Sequence, residues 1–145
     1  MELWELSARE RIRETLARYN HAGDRGRAEE LAGQFAEDGV LEVHGQEPRR
    51  GRTAIKEYIR SVARDFTENL GRGGEVPVVR HHVSNVLVTD LSSTQVRVSS
   101  YFFVILNHGV AQWGRYRDVL VPDGDRWVFA HRLVRLEGEL PSPGG

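Results

Sequence analysis

Ile12, Leu16 and Tyr19 stand at i, i+4 and i+7, one apolar stripe along a helix. Ser7-Ala8-Arg9-Glu10 has the form of a capping box and predicts Ser7 as the N-cap. Gly23 suits the left-handed residue beyond a helix end, so the helix is predicted to stop near it. Asp24-Arg25-Gly26 reads as a break. Ala28, Leu31, Ala32 and Phe35 then share one side of a second, shorter helix. Asp38-Gly39 predicts a turn, and Val40–His44 alternates as a short strand. Gly45–Gly51, with Pro48 inside it, reads as a loop. Ile55, Ile59, Val62 and Phe66 are spaced for a third, amphipathic helix. Gly71–Pro77 is Gly-rich and predicts a mobile connection.

From Val78 the period becomes two. Strands are predicted at Val78–Thr89, Gln95–Asn107, Val110–Val121 and Arg126–Leu136. The links Asp90-Leu91-Ser92-Ser93, Asn107-His108-Gly109 and Pro122-Asp123-Gly124-Asp125 carry turn residues. Helices first and a meander of strands later define an α+β chain, with helices on one face of a mostly antiparallel sheet. One domain over residues 6–137 and a flexible tail over 138–145 account for the chain.

Strict alternation gives the first long strand two faces. Val79, His81, Val83, Asn85 and Leu87 share one; Arg80, His82, Ser84, Val86 and Val88 share the other. The sheet face away from the helices is expected to hold Val86, Val88, Trp113, Val119 and Val121. That set is apolar for open water, which predicts a homo-oligomer, dimer or trimer, through this face.

Composition narrows the function. Twenty Lys and Arg against 21 Asp and Glu give a net charge of −1, without the basic excess of a nucleic-acid binder. The absence of cysteine removes disulfides, thiolate metal sites and cysteine nucleophiles. No apolar run reaches the ~18–20 residues of a membrane span, and the N-terminus lacks signal-peptide character, so a cytoplasmic protein is expected. The six histidines form no HExxH and no cluster with acidic ligands, so no metal is expected. Phosphate-loop and GxSxG patterns are also missing.

The candidate chemistry rests on four residues. His81, with Asn85 and Val83 on its face, suits either a pocket wall or a core histidine bonded to a carbonyl. Asp24 suits either the cap of the second helix or the partner of an imidazole. In the second role it fixes the tautomer and stabilises the imidazolium, leaving the other ring nitrogen to take a proton. Tyr19, five residues earlier, is a core tyrosine or a phenol donor at the pocket edge. Arg132, amid Val128, Ala130, Val134 and Leu136, requires a salt-bridge partner or an anion. Tyr58, Phe66, Phe102 and Val83 are expected as walls for a flat, apolar molecule.

Several stretches carry a resemblance. Leu16-Ala17-Arg18-Tyr19-Asn20-His21-Ala22-Gly23-Asp24, continuing through Leu31, Phe35 and Asp38-Gly39, resembles the opening of SnoaL-like domains of the NTF2-like superfamily. Gly51-Arg52-Thr53-Ala54-Ile55, Arg80-His81-His82-Val83-Ser84-Asn85, Gly114-Arg115-Tyr116-Arg117-Asp118 and Asp123-Gly124-Asp125-Arg126-Trp127 are similar to their later elements, in order. The resemblance spans Leu6 to Glu137. It implies a cone with a pocket. The branch it resembles holds scytalone dehydratase, the bile-acid 7α-dehydratase and the hexachlorocyclohexane dehydrochlorinase. Its members use an Asp–His pair, without cofactor, to eliminate water or HCl from a ring. By that resemblance Asp24 matches the aspartate, His81 the base, Tyr19 a proton donor and Arg132 an arginine on the last strand. Ser99, Ser100 and Tyr101 stand near where scytalone dehydratase has a second histidine, so the resemblance does not carry over its substrate. The same fold also implies isomerases, polyketide cyclases and the non-catalytic small subunit of ring-hydroxylating dioxygenases as alternatives.

Overall fold

The computed structural model describes residues 1–70 and 76–141. Helix α1 covers Leu3–Asp24, α2 Ala28–Ala32 and α3 Arg52–Leu70. Strands β1 (Phe35–Val43), β2 (Arg49–Arg50), β3 (Arg80–Thr89), β4 (Val96–Leu106), β5 (Gly109–Asp123) and β6 (Arg126–Glu139) form one sheet in the order β2-β1-β6-β5-β4-β3. Only the β1–β6 pair is parallel. Helices packed on a curled, mostly antiparallel sheet match the predicted α+β class.

The stripe on α1 is the anchor. Ile12 is fully buried, with Leu16 and Tyr19 beside it in the core. Burying a side chain such as Ile12 stabilises the fold by about 1.5–3 kcal/mol. From the sheet, Phe35, Leu41, Val96, Val98, Leu120 and Phe129 meet this stripe, and α3 adds Ile55. Thr15 fastens the helix to β6 by donating to the Trp127 carbonyl.

Helix α1 starts earlier than Ser7. Glu2 is its N-cap, and the Glu2 backbone N–H donates to the Glu5 carboxylate at 2.8 Å. A capping arrangement one turn upstream leaves Ser7 inside the helix. The left-handed residue after the helix is Gly26, at φ +67°, and not Gly23. Phe35 belongs to β1 rather than to the second helix, which stops at Ala32. Asp38-Gly39 is not a turn. Strand β1 runs through it, and the pairing with β6 shifts between Phe35 and Val40. The predicted Gly45–Gly51 loop contains β2, whose Arg49 and Arg50 pair with Leu41 and Val40.

Bulges set the inner face of the sheet. The β3–β4 register shifts between Ser84 and Leu87, where Asn85 adopts φ +55°. An extra residue reverses the alternation beyond it. Val86 and Val88, expected outside, therefore turn inward against the core, and Leu87 turns outward at 60% exposure. A second shift lies between Val119 and Leu120, so Phe129 rather than Val128 shares the face of Arg132. Strand β6 also continues to Glu139, into the stretch expected as tail. Of the Gly-rich connection, residues 71–75 lie outside the described residues, as do tail residues 142–145.

Candidate active site

The last residue of α1 and the second of β3 meet. The Asp24 Oδ1 accepts two hydrogen bonds from His81, one from its backbone N–H at 2.9 Å and one at ring Nδ1 at 2.6 Å. The first bond pins the strand to the helix end. The second orients the ring, so that Nδ1 carries the hydrogen and Nε2 is left as the free nitrogen. Asp24 does not cap α2, whose N-cap is Arg27 without a side-chain bond. Both side chains are mostly covered, His81 at 25% exposure and Asp24 at 13%.

Two cavities flank this pair. A chamber of about 450 Å³ lies under α3, walled by Ile59, Val62, Phe66, Val79, Val104 and Leu106 and reaching Tyr19 at its base. That volume lies within the range of small-molecule sites. A groove of about 330 Å³ runs between α1 and the β3 edge, lined by Arg13, Leu16, His21, His82, Val83 and Val86 among others. Asn20, Asp24 and His81 line both.

Tyr19 borders the chamber and is 8% exposed. Burial pushes its phenol above the ordinary tyrosine value, although the Arg132 guanidinium draws it back. The group stays a proton donor at neutral pH.

Arg132 takes a different place from the one expected of a catalytic arginine. It is fully buried and lines neither cavity. Its Nε and Nη2 donate to the two carboxylate oxygens of Asp118 at 2.9 and 3.2 Å. The pair sits directly across the β5–β6 ladder, where Asp118 is the register partner of Arg132. The guanidinium carbon lies 3.6 Å from the Tyr116 ring centre and 4.2 Å from that of Tyr19. Burial pushes the Asp118 carboxyl up against the opposing pull of Arg132. Arg132 thus holds the Tyr19 ring from below.

Of the expected walls, Phe66 lines the chamber and Val83 the groove. Phe102 is buried beneath, stacked on Tyr116 at 4.5 Å. Tyr58 lines neither cavity, and the Arg49 guanidinium covers its ring at 4.6 Å. Asn85 is exposed on the bulge and reaches neither cavity. Asn20 and Gln112 are lining residues that the sequence reading did not single out. Asn20 was findable, since it precedes Asp24 by one helical turn. Among the described residues, no three His, Cys, Asp or Glu side chains gather as metal ligands, and no helix is long and apolar enough to cross a membrane.

Comparison with known proteins agrees with this fold. A family model described as a SnoaL-like domain matches residues 4–133. An NTF2-like protein with a cystatin-like fold from Novosphingobium aromaticivorans superposes with a TM-score of 0.77 at 25% identity, over 92% of this chain and 84% of that one. A candidate scytalone dehydratase from the same organism gives 0.72 at 26% identity, over 94% and 86%. A Catenulispora acidiphila protein in complex with S-DNPA gives 0.73 at 27% identity, over 88% and 91%. No curated protein matches the chain in sequence. With a family match over nearly its whole length and that fold around its pocket, the chain belongs to the SnoaL-like domain family of NTF2-like proteins.

Proposed function

We propose that the protein is a cofactor-independent lyase of the dehydratase type, acting on a small cyclic or aromatic molecule through His81 as general base. The observation that carries this reading is the 2.6 Å contact between Asp24 Oδ1 and His81 Nδ1 at the wall of an apolar chamber. The free Nε2 takes a proton from a carbon beside a carbonyl or on an activated ring. The C–H electron pair forms the new double bond, and the leaving hydroxyl departs with a proton from Tyr19. Asp24 offsets the charge that develops on the imidazole. Arg132 serves as a positioning residue for Tyr19 and does not touch the substrate.

Proton removal is tested without knowing the leaving group. 2-Tetralone, a flat bicyclic ketone, is incubated with the protein in deuterium oxide, and exchange beside the carbonyl is followed by NMR. General-base assistance is worth ~10²–10⁴-fold, so His81→Gln removes nearly all protein-dependent exchange. Exchange at the wild-type rate in His81→Gln overturns the proposal.

The exposed side chains Leu87, Tyr101 and Trp113 mark the outer face of the sheet for a second copy of this chain. Light scattering at micromolar concentration reads the assembly, and a monomer there refutes this part.

A further inference from the structure

We infer that Gln112 is a specificity residue of the chamber, whose carboxamide binds a hydroxyl or carbonyl standing one ring away from the carbon that His81 deprotonates. The inference rests on the proposed role of His81 as general base, and it names the class of molecule that this base would meet.

Strand register sets the two residues in one row. His81 on β3 pairs with Val104 on β4, and Val104 pairs with Gln112 on β5. Register partners on neighbouring strands share a face of the sheet. All three residues line the chamber of about 450 Å³. Two strand spacings, about 10 Å, separate the ends of the row. The row is polar at each end and apolar in the middle, where Val104 belongs to the core. Helix α3 covers the opposite side with Ile59, Val62 and Phe66. A flat ring fits between that cover and Val104, with one edge toward His81 and the other toward Gln112.

The state of the amide points to a ligand. Asp118, further along β5, is bonded to Arg132. Gln112 is half-buried, yet its carboxamide has no hydrogen-bond partner among the described residues. Unlike the Asn20 Oδ1, neither of its amide atoms is sealed from solvent, so both stay open to a bound molecule. An apolar side chain here would extend the wall without the cost of partly desolvating an amide. A few polar groups set in apolar walls are what orient a ligand in such a site. The carboxamide both donates and accepts, which suits a hydroxyl or a carbonyl. The substrate class is a ring molecule carrying an oxygen function across the ring from its acidic C–H.

The test follows deuterium exchange at C1 of two isomeric ketones in wild type and in Gln112→Met, which keeps the side-chain length and removes the amide. In 6-hydroxy-2-tetralone the hydroxyl stands across the benzene ring from C1, an exchanging carbon beside the carbonyl. In 7-hydroxy-2-tetralone it stands across from C4, which is not beside the carbonyl. Wild type is expected to show a KM about fivefold lower for the 6-hydroxy isomer, as one net hydrogen bond gives. Gln112→Met should bring the two KM values within about twofold, mainly by raising that of the 6-hydroxy isomer. Each ratio is taken within one protein, so a general loss of activity cancels. A fivefold preference that survives in Gln112→Met overturns the inference, and so does a variant that does not fold, which would make the residue structural. Equal KM values in wild type, or a preference for the 7-hydroxy isomer, overturn it while His81-dependent exchange leaves the general base intact. If neither isomer shows His81-dependent exchange, the general-base reading fails and the inference with it.

Discussion

Asp118→Ala provides the sharpest test of the packing beneath the site. The side chains of Arg132 and Asp118 are both wholly excluded from solvent, and among the described residues the only charge facing the guanidinium at hydrogen-bond distance is the Asp118 carboxylate. Removing it leaves a cation among Tyr19, Tyr116 and Phe129, whose ring faces offset only part of the loss. Breaking a buried pair in this way costs about 3–5 kcal/mol. For a chain of 145 residues, the entropy of unfolding is about 0.3 kcal/mol per kelvin at the midpoint. The melting temperature should therefore fall by about 10–16 °C, read by calorimetry or far-UV circular dichroism. Asp118→Val with Arg132→Met removes both charges at similar volume and should recover most of that loss. Because exchange needs His81 and no leaving group, the double variant should fold and still catalyse deuterium exchange. A single variant melting within about 3 °C of wild type would refute the claim that this pair is dry and mutually dependent.

Two further outcomes follow from the same geometry. Burial raises the Tyr19 and Tyr116 phenols above their ordinary value, so the unfolded chain loses those protons first as pH rises. Their contribution is intact below about pH 10 and is lost above it, at up to about 1.4 kcal/mol per pH unit for each tyrosine. Urea melts of Tyr116→Phe between neutral and strongly alkaline pH should show a shallower decline than wild type; an unchanged decline contradicts the assignment. At the bulge, Asn85→Gly should be tolerated, whereas Asn85→Val forces a β-branched residue to φ +55° and should cost about 1–2 kcal/mol in urea unfolding. Equal stability of the two variants would mean that the bulge does not hold the residue there.

The parts legible in the sequence were those with a strong period. The stripe of Ile12, Leu16 and Tyr19, the α3 spacing and the four long strands all emerge from simple patterning, because burial imposes 3.6 or 2 on any amphipathic element. What patterning misses is a break in phase. One extra residue at Asn85 reverses every side chain beyond it, and nothing in Val83-Ser84-Asn85-Val86 announces that the strand bulges there. The same reason hid the true face of Val128. Glu2 and Glu5 escaped notice as a cap because Ser7 and Glu10 offered the more familiar signature.

The candidate site was legible in half. Asp24 and His81 stand out as a pair through resemblance, and the 2.6 Å contact is where the two segments meet. Arg132 was recognisable as an arginine in need of a partner, but its partner depends on strand register, which places Asp118 opposite. Asn20 carries no motif. Its place one turn before Asp24 puts it on the same helix face, while its burial appears only in the coordinates.

Catalysis by His81 depends most on which ring nitrogen holds the proton. Nitrogen-15 NMR of histidine-labelled protein, with His81→Gln to assign the signal, reads this directly at a pH where the ring is neutral. Protonated Nδ1 and bare Nε2, reverting toward a mixture in Asp24→Asn, is the predicted result. A proton on Nε2 in the wild type would contradict the account, since the nitrogen left free would then face the carboxylate and not the substrate.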